Sequence, residues 1–166
     1  MTTVQSPTKA CLPPIVGPGT RLLILGSLPG DASLKAERYY AYPLNQFWTL
    51  LGASIGEPMD ALAYEQRLER LAARGIGLWD TVASAVRPGS LDTALRDIAA
   101  NPLRQLVAEL PNLRAIAFNG GIAAKIGRRE LGPTRLALID LPSSSPANTR
   151  PLTEKSSAWA RLADHL

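Results

Sequence analysis

Two stretches carry residues whose types and spacing could do chemistry. They are Gly26-Ser27-Leu28-Pro29-Gly30 and, shortly after, Tyr39-Tyr40-Ala41-Tyr42-Pro43-Leu44-Asn45-Gln46-Phe47-Trp48. Flat aromatic faces beside carboxamides suit a flat, polar, ring-shaped ligand, and a nucleobase is one. An asparagine amide can read both a donor and an acceptor on a ring edge. The first stretch follows the apolar run Leu22-Leu23-Ile24-Leu25. An apolar run that stops at a Gly/Pro loop predicts a buried strand delivering that loop to the carboxyl edge of a sheet. Open α/β folds place their ligands at that edge.

Two further loops could join them. Pro142-Ser143-Ser144-Ser145-Pro146-Ala147-Asn148 offers hydroxyls and free backbone amides, which are good phosphate ligands. It could equally be a solvated loop. Asn119-Gly120-Gly121 could present an amide to a base edge or merely cap the next helix. Lys125 and Arg128, with Arg129, lie closer to these loops than Arg67, Arg70 and Arg74, whose helical spacing suits a solvated face.

Several chemistries fall on the residue inventory. There is no Gly-x-Ser-x-Gly elbow, and the single histidine, His165, is the penultimate residue. A serine hydrolase and a multi-histidine metal site are both disfavoured. The single cysteine, Cys11, allows neither an internal disulfide nor a cysteine metal cluster and fits a reducing, cytoplasmic setting. Asp31, Asp80 and Asp92 leave a two-carboxylate glycosidase open. Gly26–Gly30 is neither a P-loop nor a dinucleotide fingerprint.

The elements that must position these residues follow from the apolar pattern. Runs at 21–25, 75–79, 115–118 and 136–141 are apolar on consecutive residues, as in strands buried on both faces of a parallel sheet. Helix-like segments lie between them at 45–51, 61–74, 103–110 and 121–126, and a last one spans 154–166 with Thr153 as its expected N-cap. Strands alternating with helices imply right-handed βαβ units. The expected fold is a three-layer α/β/α sandwich with a mostly parallel four-stranded central sheet. Residues 1–19, rich in Pro and Gly, are expected to be a loose lead-in to a single domain over 20–166. The candidate loops, including 80–92, all follow strand ends and would gather at one edge.

Composition sets the partner. The chain has 166 residues, a formal net charge of +4 and a pI near 9.6. A basic balance favours a polyanion without requiring one. No stretch approaches the length of a membrane span, and no apolar segment follows Lys9 as a signal peptide would need.

Taken in order, the loops resemble those of the uracil-DNA glycosylase superfamily, most of all its hypoxanthine-DNA (deoxyinosine) glycosylase branch. The matching pieces are Gly26-Ser-Leu-Pro-Gly30, Tyr39-Tyr40 through Pro43-x-Asn45-x-Phe47-Trp48, Gly77-Leu-Trp-Asp80, Arg87-x-Gly-Ser-Leu-Asp92, Phe118-Asn-Gly120 and Leu141-Pro-Ser-Ser-Ser-Pro-Ala147. Each is short; their order over residues 21–160 is specific. The resemblance implies a monomeric DNA-repair enzyme that flips a deaminated base, uracil or hypoxanthine, out of DNA and hydrolyses its N-glycosidic bond without metal or cofactor. It implies a base pocket formed by Gly26, Ser27, Leu28, Pro29, Gly30, Tyr40, Tyr42, Phe47 and Asn119, with Tyr40 as the stacking ring. It implies Asn45 as the catalytic residue, and the loop Pro142, Ser143, Ser144, Ser145, Pro146, Ala147, Asn148, with Lys125 and Arg128, as the DNA contact. Leu28 and Leu141 stand where many relatives have polar catalytic groups, and Tyr42 and Leu44 where the branch often has His and Arg. These departures motivate an alternative, a catalytically weak protein that binds uracil or abasic DNA. A hydrolase of free nucleosides is a further one, disfavoured by the serine loop.

Overall fold

The computed structural model describes residues 7–166. The strands are β1 (Thr8–Ala10), β2 (Leu22–Gly26), β3 (Ile76–Asp80), β4 (Val82–Val86), β5 (Arg96–Ala100), β6 (Ala115–Asn119) and β7 (Ala137–Leu141). The α-helices are α1 (Asp31–Ala36), α2 (Phe47–Ile55), α3 (Tyr64–Arg74), α4 (Leu103–Ala108), α5 (Gly121–Leu131) and α6 (Leu152–Trp159). The consecutive apolar runs are the parallel strands: β3-β2-β6-β7 form one sheet, every pair parallel.

The pleat splits each run between two cores. Leu22, Ile24, Leu78, Ala115, Ala117 and Ile139 pack with Phe47, Trp48, Leu50, Leu51, Leu71, Trp159 and Leu162 on one face. Leu23, Leu25, Trp79, Ile116 and Phe118 pack with Leu103, Leu106, Ala123 and Leu131 on the other. Helices α2, α3 and α6 therefore cover one face and α4 and α5 the other, which is the expected three-layer sandwich.

Three expectations need correction. The segment 80–92 is not all loop: β4 pairs antiparallel with β1 and β5 in a second, three-stranded sheet. Part of the expected lead-in is thereby structured, since Thr8–Ala10 is a strand of that sheet and Leu12 is buried. Residues 1–6 lie outside the described residues. The last helix does not start at a Thr153 cap. Pro151, with φ preset near the helical value, precedes it, and the Glu154 and Lys155 amides donate to the Pro151 carbonyl. The chain then ends in a 3₁₀ segment, Ala160–His165.

Candidate active site

The last residue of each parallel strand lies on the same pleat face as the residues packed under α2. Register sets Gly26 beside Asp80 and Asn119 beside Leu141. The row at the carboxyl edge therefore runs Asp80, Gly26, Asn119, Leu141. Gly26 contributes no side chain, and that gap is used. A Cβ there would lie 2.7 Å from Asp80 Oδ1 and 3.1 Å from the Tyr40 hydroxyl oxygen.

Tyr40 descends into the gap from the segment between α1 and α2. Its backbone is left-handed, with φ of 53°, a conformation that costs a non-glycine residue of order 1–3 kcal/mol. Neighbours hold it there. Phe47, fully buried, stacks against the ring at 3.7 Å and 6°. Trp48 Nε1 donates to the Tyr40 carbonyl at 3.2 Å, and Asn119 Nδ2 donates to the hydroxyl at 3.3 Å. Burial, then the nearby Asp80, pushes the Tyr40 hydroxyl pKa far up, so the phenol keeps its proton.

Ser144 knots three loops together. It is fully buried. Its amide donates to Asn119 Oδ1 and its hydroxyl accepts from Asn119 Nδ2, both at 2.9 Å. The hydroxyl proton goes to Asn45 Oδ1 at 2.8 Å. Its carbonyl accepts from the Gln46 amide at 3.0 Å. Asn45 Oδ1 also accepts from the Phe47 amide at 3.0 Å, a side-chain turn at the entrance of α2, whose N-cap position is Gln46. Both acceptor directions are thus committed, while Asn45 Nδ2 has no partner among the described residues. Gly120, between Asn119 and α5, has φ of 99°, and a Cβ on it would crowd Ser143 Cβ at 3.1 Å. Only glycine lets the strand-end loop and the serine loop meet this closely.

The loop Gly26–Gly30 is fixed from beneath by a buried arginine. Arg87 donates to the carbonyls of Leu28, Pro29 and Gly89 at 3.1, 2.6 and 2.9 Å. Ser27 Oγ donates to Asp92 Oδ1 at 2.5 Å. Leu28 does not line the pocket with its side chain, which packs with Val82, Ala85 and Ile126. Asp80 is buried, and its Oδ2 has no partner. Burial, reinforced by Asp92 and only partly offset by Arg87, raises its pKa well above the carboxylate range. The acids that kept a two-carboxylate site open are thus a buried, protonation-prone Asp80, a serine-bound Asp92, and an Asp31 ion-paired with Lys9 at 2.6 Å.

The serine loop braces itself. Ser143 Oγ accepts from the Ser145 amide and Ser145 Oγ from the Ala147 amide, at 3.1 and 3.2 Å. Asn148 Nδ2 donates to the Ser143 carbonyl at 3.0 Å. Ser143 and Ser145 keep hydroxyl protons to offer outward, Pro146 and Ala147 are exposed, and Ser144 is a buried bridge rather than a DNA-facing group. Lys155 is 1% exposed. It ties this loop to α2 by donating to the Asn148 carbonyl and to Gln46 Oε1, each at 2.8 Å. Of the expected basic contacts, Lys125 is exposed, while Arg128 is ion-paired with Asp140 at 3.0 Å. Tyr42 lies on the surface, not in the enclosed part of the site.

The family model of the uracil DNA glycosylase superfamily matches residues 13–164. This chain belongs to the uracil-DNA glycosylase superfamily. It is 41% identical over 154 residues to a hypoxanthine DNA glycosylase of Methanosarcina barkeri, covering 92% of this chain and 96% of that protein. A hypoxanthine DNA glycosylase of Methanosarcina acetivorans is 38% identical over 157 residues, covering 95% and 99%. The solution NMR structure of a protein described as a candidate uracil DNA glycosylase, also from Methanosarcina acetivorans, superposes with a TM-score of 0.83 at 38% identity. That match covers 95% of this chain and 98% of the other. The expected superfamily and its hypoxanthine branch are therefore borne out, as is the α/β architecture. No helix among the described residues is long and apolar enough to cross a membrane.

Within this glycosylase fold the sequence motifs left Arg87 and Lys155 without roles, gave Asp92 only as an available acid, and gave Ser144 to the DNA contact. Arg87 and Asp92 bracket a quoted motif, which was the signal available for them. Lys155 carried none: a lysine in an amphipathic terminal helix looks like a solvated charge until its burial is seen.

Proposed function

We propose that the protein is a monomeric DNA glycosylase that excises hypoxanthine or uracil from DNA. The observation that carries this is the hydrogen-bonded line from Asn45 through Ser144 and Asn119 to Tyr40 across the strand ends. It fixes two amides and an aromatic ring around the Gly26 gap and leaves Asn45 Nδ2 without a partner among the described residues.

One face of Tyr40 rests on Phe47, so the other face is available to stack on a flipped base. The Tyr40 hydroxyl accepts from Asn119 and has its own proton to give to a base carbonyl. The reaction breaks the bond between C1′ and the base nitrogen. The electron pair leaves with the base, a water oxygen bonds to C1′, and the water's proton is released. Asn45 cannot act as a strong base. Its Oδ1 is pinned by the α2 entrance and Ser144, so the amide plane is fixed and Nδ2 can orient the water or meet developing negative charge. Preorganised donors of this kind act mainly in the transition state. Ser143, Ser145 and the exposed Lys125 are the backbone contacts.

The test is a panel of labelled oligonucleotides carrying uracil, hypoxanthine, xanthine or a mismatched thymine, followed by alkali cleavage of abasic sites. Strand breaks at hypoxanthine or uracil are expected. Binding without any abasic product, even with excess enzyme, would replace this reading with that of a damage-binding protein.

A further inference from the structure

Every carbonyl of the loop Gly26–Gly30 accepts a hydrogen bond. Those of Gly26 and Ser27 accept from the amides of Thr81 and Val82 at 2.8 and 2.9 Å, and that of Gly30 accepts from the amide of Leu34 at 3.0 Å. Those of Leu28 and Pro29 accept from the two terminal nitrogens of Arg87. The amides of the loop differ. Pro29 has none to offer, and Gly26 lies in the ladder with β3. Those of Ser27, Leu28 and Gly30 have no partner among the described residues.

Peptide geometry turns this into direction. In a trans peptide the N–H points opposite to the C=O of the preceding residue. The Gly26 and Ser27 carbonyls face the start of β4, so the Ser27 and Leu28 amides face away from it. The Pro29 carbonyl faces Arg87, so the Gly30 amide faces away from Arg87. The loop therefore offers an approaching group donors and no acceptors. Successive backbone donors of this kind suit negative charge. When a glycosidic bond is hydrolysed, that charge leaves with the base.

Arg87 is fully buried. Its three short contacts are all carbonyls, the third being that of Gly89. Its approach to Asp31 is long, at 3.9 Å. A guanidinium is a costly group with which to fill a core, whereas its planar fork holds two acceptors in a fixed relation. The segment after it adds further ties to the same loop. Ser90 Oγ accepts from the Asp31 amide at 3.0 Å, and Asp92 accepts from the Ser27 hydroxyl. Lys9, reaching across from β1, donates to the Gly89 carbonyl and to Asp31 Oδ1, each at 2.6 Å.

We propose that Arg87 is a positioning residue for base excision: by gripping the Leu28 and Pro29 carbonyls it keeps the amides of the loop, Gly30 foremost, turned toward the base, and Lys9 steadies it through Gly89. This rests on the glycosylase reading above. Arg87 touches no substrate, and its effect belongs to the rate of bond breaking rather than to DNA binding.

The experiment follows single-turnover cleavage of a duplex carrying hypoxanthine or uracil over a range of enzyme concentrations. It yields the rate constant at saturation and the concentration for half-saturation, and a burst titration gives the active fraction of each preparation. Arg87→Lys keeps the charge and loses the fork, and Arg87→Met keeps the bulk and loses both. Each is expected to lower the saturated rate constant by about 10–10², with half-saturation within about twofold of wild type. Lys9→Met leaves the core untouched and should lower the rate constant by about threefold. A role confined to folding would reduce the active fraction and leave the rate constant of the folded molecules unchanged. That result, or an Arg87→Lys variant as fast as wild type, would overturn the proposal while leaving the glycosylase reading intact. Should neither Arg87 variant fold, Lys9→Met decides: a slower rate constant at unchanged half-saturation supports the proposal, and an unchanged rate constant overturns it. A wild-type protein that cleaves neither lesion would overturn both readings.

Discussion

Asn45 has two separable parts, and substitution can separate them. Its Oδ1 accepts from the Phe47 amide and the Ser144 hydroxyl, while Nδ2 has no partner among the described residues. Asn45→Ala removes everything. The lost helix-entrance contact costs about 1 kcal/mol and the Ser144 contact about another, so roughly 2 kcal/mol of stability in total. For a chain of this size that is roughly a 4–8 °C fall in melting temperature. Asn45→Ser keeps an oxygen able to cap the Phe47 amide but has no carboxamide. It should recover about half of the lost stability. If Nδ2 acts on the water or on developing charge, both variants should lose cleavage together, by on the order of 10²–10³ in single-turnover rate. Urea melts and single-turnover assays on the same preparations test this, well below the melting transition. A Ser variant that cleaves nearly as fast as wild type, with the Ala variant slowed only in proportion to its instability, would show that Asn45 only supports the entrance of α2.

Three more outcomes follow from the same geometry. Tyr40→Phe keeps the stack on Phe47 and loses the contact with Asn119 and the hydroxyl proton offered to the base, so its cleavage should fall about tenfold. Tyr40→Ala loses the stacking face, worth about 1–3 kcal/mol per base, and should fall further; equal activities would remove Tyr40 from the base. Burial holds the folded Asp80 carboxyl well above its ordinary pKa. The folded state therefore holds a proton that the unfolded state releases, and stability should fall as pH rises from about 4 toward the folded pKa. Asp80→Asn should flatten that slope in denaturation curves taken across the range, and an unchanged slope would assign it to other groups. DNA affinity measured by anisotropy should weaken as salt rises, because phosphate contacts release counterions. An affinity flat between low and moderate salt would remove the serine loop and Lys125 as backbone contacts.

The parallel sheet was legible because strands buried on both faces leave consecutive apolar residues, as in Leu22–Leu25 and Ala115–Phe118. The second sheet was not. Val82–Val86 carries small and polar residues, and Arg96–Ala100 is mostly exposed, so neither leaves a strong apolar signal. Thr8–Ala10 is a strand only because β4 offers it a partner. At the site, the motif order placed Tyr40, Asn45, Asn119 and the serine loop at one edge correctly. What the motifs could not show was direction. Leu28 turns into a core rather than the pocket, Ser144 turns inward rather than toward DNA, and the Asn119 amide is spent on Ser144 and the Tyr40 hydroxyl. A residue's type says which bonds it can make, and only the packing says which partners take them.

That commitment has a chemical consequence. Leu28 and Leu141 leave the first and last strand ends without polar groups of their own, and both are buried. In the proposed reaction the polar work falls to Asn45 at the α2 entrance, which Ser144 and the Phe47 amide orient together. Ser144 in turn belongs to the loop expected to touch the DNA backbone, and Lys155 fastens that loop to the residue after Asn45. Its ammonium is buried against neutral acceptors and makes no ion pair among the described residues. Burying an unpaired cation is costly, and burial lowers its pKa accordingly. An arrangement that only needed to join α2 to the loop could do so with uncharged groups. In the proposed complex the cation would add positive potential beneath the loop expected to meet phosphates, with no carboxylate paired to it among the described residues. In the proposed reaction, backbone contact and amide orientation are therefore mechanically one feature. A change that loosened the loop should disturb Asn45 even though no atom of the reacting nucleotide touches the residue changed.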